Sequence, residues 1–299
     1  MAWSVAVVCI GGLLLAGGCA KWKQGSVSDH DVLNGPNPLP AQRMSSDSVV
    51  LELTTVEVPP DELEVDGVDW NTRLWQQLDE TSIPVEVRRR LADNGIRVGI
   101  ASTRLPPIIE KWLARQEQQQ DLAAQSGRTA YQAVTSHQRW QTRLGQSKRF
   151  PLSSQQDSVA YALNLDGYFE GRSLEQALLQ AEITTYPQPD GKARIDVVPM
   201  IEHGVPKQRV DVSQQSYVWT MEREREVFDE LRVSANLISG QTLVLTQTHD
   251  DSGLGYLFFS DRKSDGSQKK ILLIRLAQTQ LDDLFTREQI FAPIETPTE

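Results

Sequence analysis

The chain has 299 residues, 39% of them hydrophobic and 23% charged, with a formal net charge of −10. That composition suits one large folded domain or two small ones and excludes wholesale disorder. The acidic balance disfavours nonspecific attraction to nucleic acid or anionic lipid, and two cysteines are too few for a cysteine-based zinc or iron–sulfur site.

The amino end reads as an address. No residue from Val5 to Gly18 is charged. The stretch is shorter than the roughly 20 residues of a membrane helix and matches the roughly 7–15 of a secretory h-region. It ends in Ala16-Gly17-Gly18-Cys19. Small residues before a cysteine resemble a bacterial lipoprotein signal, which implies cleavage there and a lipid on Cys19. Ala16 stands where leucine is commonest, and Met1–Gly18 carries no Lys or Arg. An uncleaved anchor or a buried helix are the competing readings, and the glycines make a poor helix. Cleavage removes Cys9, so the mature body has no internal disulfide. The expected partners are the membrane, through lipid on Cys19, and other envelope proteins. No nucleic acid, metal or cofactor is expected.

Residues 20–48, rich in Gly, Pro, Ser and Asn, read as a flexible linker. "VVLELTTVEVP" (49–59) alternates β-branched residues and reads as a strand. Trp70, Leu74 and Leu78 share one face of a short helix. "IPVEVRRRLADNG" reads as a helix that opens at Pro84 and ends at Asn94-Gly95, with Gly95 left-handed. Ile96–Ile100 then reads as a strand, and "LPPIIEKWLARQEQQQ" as a helix. The expectation for 49–120 is a small α/β unit that folds alone, its strands covered by helices.

Residues 121–150 read as a connection, with an extended piece near Trp140. Residues 151–281 read as a mostly antiparallel β-rich domain, so the whole is expected to be α+β. Val159–Leu165 is a strand ending in an Asp166-Gly167 turn. "SLEQALLQAEITTYPQ" reads as a helix with Ser173 as cap and Gln176 three residues on. Pro199 implies a strand edge or bulge, and "HGVP" (203–206) a turn. "QRVDVSQQSYVWTM", "GQTLVLTQT", "YLFFS" and "ILLIRLAQTQ" read as strands. Residues 282–299 read as a charged tail.

Catalytic signatures are absent. None of G-x-S-x-G, H-E-x-x-H or a phosphate-binding glycine loop occurs. "GLG" (253–255) reads as a loop that needs backbone freedom. The one cluster of ligand-type side chains is His249, Asp250 and Asp251, a weak catalytic candidate against the plainer reading of a polar loop. Glu202-His203 reads as a surface pair, and Glu222, Glu224 and Glu226 as an exposed charged face. Trp70, Trp75 and Trp112 are expected in the core, with Trp140 and Trp219 as the candidates for an exposed binding groove.

Two resemblances follow. "VVLELTTVEVP", "LDE", "IPVEVRRRLADNGIRVGI" and "LPPIIEKWL" resemble uncharacterised envelope lipoproteins of planctomycete-type bacteria, a likeness that carries no activity. "ARIDVVPMIEHG" (193–204) and "LRVSANLISGQTLVLTQ" (231–247) are similar to the core of outer-membrane secretins. The likeness rests on Val197-Val198-Pro199 and Gly240-Gln241-Thr242. Thr246-Gln247 stands where that family has a Gly pair, and the spacing is short for membrane-inserting hairpins. It implies an envelope assembly component and no pore. The functional expectation is a non-enzymatic, membrane-tethered scaffolding or binding lipoprotein. Its alternatives are a part of a secretin-like export assembly or a periplasmic hydrolase with a dispersed site.

Overall fold

The structure is a computed structural model that describes residues 47–125, 137–213, 216–248, 253–263 and 266–281. Cys19, the linker up to residue 46 and the tail at 282–299 lie outside the described residues. So do His249, Asp250 and Asp251.

Chain order runs β1 (Ser48–Glu57), β2 (Glu64–Val65), β3 (Val68–Asp69), α1 (Trp70–Trp75), α2 (Val85–Asp93), β4 (Ile96–Ala101) and α3 (Pro107–Gln125). It continues with β5 (Gln138–Arg143), β6 (Ser147–Pro151), β7 (Gln156–Leu165), β8 (Tyr168–Pro187), β9 (Lys192–Ser213) and β10 (Ser216–Val227). It closes with β11 (Val233–Ile238), β12 (Thr242–Gln247), α4 (Gly253–Phe259), β13 (Ser260–Lys263) and β14 (Gly266–Gln280). The pairing is antiparallel throughout. One sheet has the order β4-β12-β14-β1-β5, with β13 beside the start of β14. The other has the order β10-β9-β8-β6, with β11 also on β9 and β7 also on β8.

Alternation decides which faces meet. Val49, Leu51 and Leu53 of β1, Leu272, Ile274 and Leu276 of β14, and Leu243 and Leu245 of β12 point to one side of the first sheet. There they share a core with Leu179, Ala181 and Ile183 of β8, Ala193, Ile195 and Val197 of β9, and Val233, Ala235 and Leu237 of β11. On the other side of the first sheet, Val56, Val244, Ile271 and Leu273 meet Trp70 and Leu74 of α1 and Ile109 and Trp112 of α3. Trp70 and Trp112 meet edge to face at 6.2 Å. The expected core placement of Trp70, Trp75 and Trp112 holds, all three being buried.

The expected α+β class, with an α/β unit at the start, is overturned. The described residues are mostly β, with 57% of them in strands and 22% helical. β1 and β4 are not neighbours, because β14 and β12, from the far end of the chain, lie between them. All of the described residues belong to one compact unit. The physical reason is burial on both faces: β12 is buried along its whole length. Such a strand needs partners on both edges, and β4 and β14 supply them. An isolated fragment of residues 49–120 therefore has two strands with their ladders unfilled. We expect it to show no cooperative thermal transition by circular dichroism.

Local readings fail where a left-handed residue or a bulge breaks a period. Ser173–Gln188 is not a helix: residues 173–187 belong to β8. Gln176 has φ 51°, and the ladder with β7 passes from Glu175↔Ser158 to Ala177↔Gln156. This break places Leu174, Ala177, Leu178 and Ala181 at helical spacing within a strand. "HGVP" is not a turn either. It is a bulge in β9, where His203 faces Glu224 and Lys207 faces Glu222. Pro199 fits the edge-or-bulge reading in a particular way. β9 exchanges β11 for β10 at this point, between Val197↔Val233 and Met200↔Val227. A missing N–H costs no ladder bond there.

"YLFFS" is not a strand, since Tyr256–Phe259 complete α4. Asn94 and Gly95 hold this helix. Gly95 is left-handed as expected, with φ 77°. The Gly255 N–H donates to the Asn94 carbonyl at 2.9 Å, and the Thr248 N–H to the Gly95 carbonyl at 2.7 Å. The Asn94 side chain donates to the Arg90 and Asn164 carbonyls and accepts from the Asn164 N–H.

Before α2, the Asp79 carboxylate accepts from the Thr81 and Ser82 hydroxyls and from the Thr81 N–H. The Ser82 contact is the largest influence, and together they lower its pKa to about 2. A depressed carboxylate stabilises the fold above its unfolded pKa, and that share is lost as pH falls towards 2. Asp79 is exposed, so solvent screening reduces the effect to about 1 kcal/mol. Asp79→Asn is expected to cost that much at pH 7 and nothing near pH 2, read by urea denaturation at both values.

Candidate functional site

The feature that stands apart is the far half of β9 and its partner β10. Up to Glu202, β9 is flanked on both sides, with β8 on one edge and β11 or β10 on the other. The β8 ladder ends at Leu178↔Glu202. Beyond it β9 continues to Ser213 with β10 alone. At about 3.3 Å per residue this two-stranded arm runs roughly 30 Å. Among the described residues no third strand pairs with either edge of it.

The bulge at Gly204–Pro206 sets the arm off from the sheet. Gly204 has φ 75°, and a Cβ there would meet nothing within 4 Å. Its left-handed backbone therefore explains the glycine better than crowding does.

The base of the arm is charged in an ordered way. Glutamate and arginine alternate from Glu222 to Glu226 along β10, across the register shift between Glu222 and Glu224. Lys207 pairs with Glu224, and this contact holds the Glu224 carboxyl below its ordinary range. Arg225 reaches Glu222 at 3.4 Å, and Arg172 of β8 reaches Glu226 at 3.2 Å. Arg223 donates to the Gln176 carbonyl at 3.3 Å and to Gln155 Oε1 at 3.1 Å. These contacts tie the arm's root to the β7–β8 hairpin. Beneath them Tyr161 packs on Phe228 at 5.2 Å, and burial, with Glu226 second, pushes its hydroxyl up to about 12. Val205 and Met221 stand exposed in the same region.

The geometry separates most of the candidates drawn from the sequence. Glu202 lies opposite Arg225, and His203 opposite Glu224, both at the root of the arm. The glutamate run lies on the arm as an exposed to half-buried charged strand. Trp140 is half-buried on β5 against Phe150 at 5.9 Å, and its indole N–H donates to Gln138. It lines no groove around the arm. The side chain of Trp219 lies outside the described residues. "GLG" is a left-handed Gly253 followed by the first turn of α4, not a loop. Among the described residues no group of three His, Cys, Asp or Glu side chains is placed to hold a metal. No helix among them is long and apolar enough to cross a membrane.

The arm went unread in the sequence because "HGVP" looked like a chain reversal. The available signal was "QRVDVSQQSYVWTMERE", a strand, a polar turn and a second strand running past it. The chain matches no protein-family model, no curated protein and no solved structure.

Proposed function

We propose that this chain is a non-enzymatic, membrane-tethered envelope component that assembles with further copies of itself through the β9–β10 arm. The observation that carries this reading is the pair of open strand edges on the arm. Unpaired edges are templates for another strand, and they present backbone donors and acceptors along their length. The lipoprotein-like amino end supports the tether. The secretin-like stretch supports an envelope assembly, because it covers the first half of β9 and leads into β12.

Charge selects the mode of pairing. Setting β10 against β10 of a second copy, with the sheet face continued, opposes glutamate to glutamate, which is destabilising. Setting β10 against β9 of the next copy extends the antiparallel ladder with the same faces up. The Glu222 and Glu224 side then meets Lys207 and His203 again, as it does within one arm. That contact is head to tail, so it makes a ring where the rotation closes and a filament where it does not.

The test is zero-length carbodiimide coupling in membranes that contain equal amounts of isotopically light and heavy chain. Coupled peptides joining Lys207 to Glu222 or Glu224 are expected to include mixed light–heavy pairs. Only single-isotope pairs would place every contact within one chain and sink the reading.

A further inference from the structure

We infer that the body of the molecule caps three of its own strand edges, β4, β5 and β7, and that these caps keep a second copy of this chain, the partner taken from the assembly reading above, from pairing there. β4 and β5 are the outer strands of the first sheet. An outer strand offers a row of N–H and carbonyl groups to any strand that approaches. In an antiparallel ladder these groups alternate, one residue turned towards the partner strand and the next away from it.

The β5 cap is made of side chains. Just past the strand, the Leu144 N–H turns inward and donates to the Asp47 carbonyl at 2.9 Å. Alternation therefore turns Arg143 and Gln141 outward. The Arg143 N–H donates to Gln146 Oε1 at 3.2 Å, and the Lys148 ammonium donates to the Gln141 carbonyl at 3.1 Å. Gln146 lies in the turn after β5 and Lys148 in β6, so the chain folds back over the edge it has just made. Lys148 also stands 5.7 Å above the Trp140 ring, which holds the ammonium in place.

The other two edges are closed by different means. On β4, the segment between α1 and α2 lies along the edge. The Asp79 N–H donates to the Ile100 carbonyl at 2.9 Å, and the Ile100 N–H to the Asp79 carbonyl at 2.8 Å. Arg97 fastens this strap, with two of its nitrogens each 2.8 Å from a Glu80 carboxylate oxygen. On β7, Leu165 and Tyr168 close the two-residue hairpin turn, so Asn164 turns away from β8. The buried Asn94 amide meets both of its outward groups: the Asn164 N–H donates to Asn94 Oδ1 at 2.7 Å, and Asn94 Nδ2 donates to the Asn164 carbonyl at 2.9 Å.

Each cap fills the outward groups of only one or two residues. That is enough, because an added strand must pair with consecutive outward groups. Where one is already taken, the newcomer buries a donor or acceptor that stays unmet, which is costly.

The experiment opens the β5 edge, whose caps are side chains near the surface. The native mass of the full-length chain in mild detergent is followed over a wide range of concentration, for wild type, for Gln146→Ala with Lys148→Ala, and for Lys148→Arg. The double variant is expected to exceed the wild-type mass and to grow with concentration. The peptide carrying Gln141 to Arg143 should exchange its amide hydrogens more slowly as it does so. Lys148→Arg keeps a donor for the Gln141 carbonyl and should hold the wild-type mass. Should the double variant lose its cooperative thermal transition, each single alanine variant, which frees one of the two groups, is scored in the same way. A monomeric wild type would count against the arm alone, and growth of the double variant beyond it would still uphold the cap. A double variant with the wild-type mass at every concentration, or growth without slower exchange in β5, would overturn the inference.

Discussion

Gly255→Ala is expected to destabilise the protein by about 3 kcal/mol or more, because the new methyl has nowhere to go. A Cβ at Gly255 would lie 1.6 Å from the Gly95 carbonyl oxygen and 2.2 Å from its carbon. Both are backbone atoms, so no side-chain rotation relieves the contact. The obstructing peptide is pinned in turn by the Asn94 hydrogen bonds to Arg90 and Asn164. Displacing α4 would also disturb Leu254, Phe258 and Phe259, all buried in the main core. Gly167→Ala is the control: that glycine is left-handed at φ 90°, with nothing within 4 Å, and should lose about 1 kcal/mol. Denaturant titration of both variants checks the pair. A Gly255→Ala protein within 1 kcal/mol of wild type would mean that α4 does not seat on Gly95 this closely.

The second large effect lies at Lys270, a lysine only 2% exposed inside the first sheet. Its ammonium donates to the Leu152 carbonyl at 3.0 Å and pairs with Asp261 of β13. Removing Asp261 leaves a buried charge with one neutral acceptor. Breaking a fully buried pair costs about 3–5 kcal/mol, and Asp261 retains some water access, so Asp261→Ala is expected to cost about 2–4 kcal/mol. Lys270→Met should be far milder, because it removes the buried charge while Asp261 keeps its contact with water. The double variant should then recover most of what Asp261→Ala loses. Thermal or chemical unfolding of the three variants gives the cycle. Equal losses in the two single variants, with no recovery in the double, would show that the ion pair is not what holds this corner.

Local chemistry told the truth where a residue's role was local. Asn94-Gly95 ended α2, Asp166-Gly167 turned β7 into β8, and the alternation of 49–59 produced β1. The sequence misled wherever distant partners decided the outcome. β1 pairs with β14 and β5, and nothing in residues 49–120 announces a strand that lies beyond residue 260. The left-handed backbone at Gln176 broke the strand's alternation and gave it the apolar spacing of a helix, and helix-favouring Leu, Glu, Gln and Ala reinforced the misreading. "YLFFS" has strand composition, yet Gly253 and Gly255 let that backbone coil against Gly95. The arm was harder still. Its two strands were read as the single strand "QRVDVSQQSYVWTM", whereas β9 ends at Ser213 and β10 begins at Ser216, and whether a third strand covers them is a property of the whole topology, which no short window contains. The base of the arm was legible only as charge: the alternation from Glu222 to Glu226 was read as an exposed face, and its ion pairs with Lys207 and Arg172 required the fold.

The central claim is that the arm joins copies. The direct measurement is the native mass of the full-length chain, extracted in mild detergent, beside a variant in which residues 206–221 are replaced by Asn-Gly. Wild type is expected to give multiples of the chain mass, and the variant a monomer whose unfolding midpoint stays within a few degrees of wild type. A monomeric wild type, or a variant that assembles as well as wild type, would contradict the account.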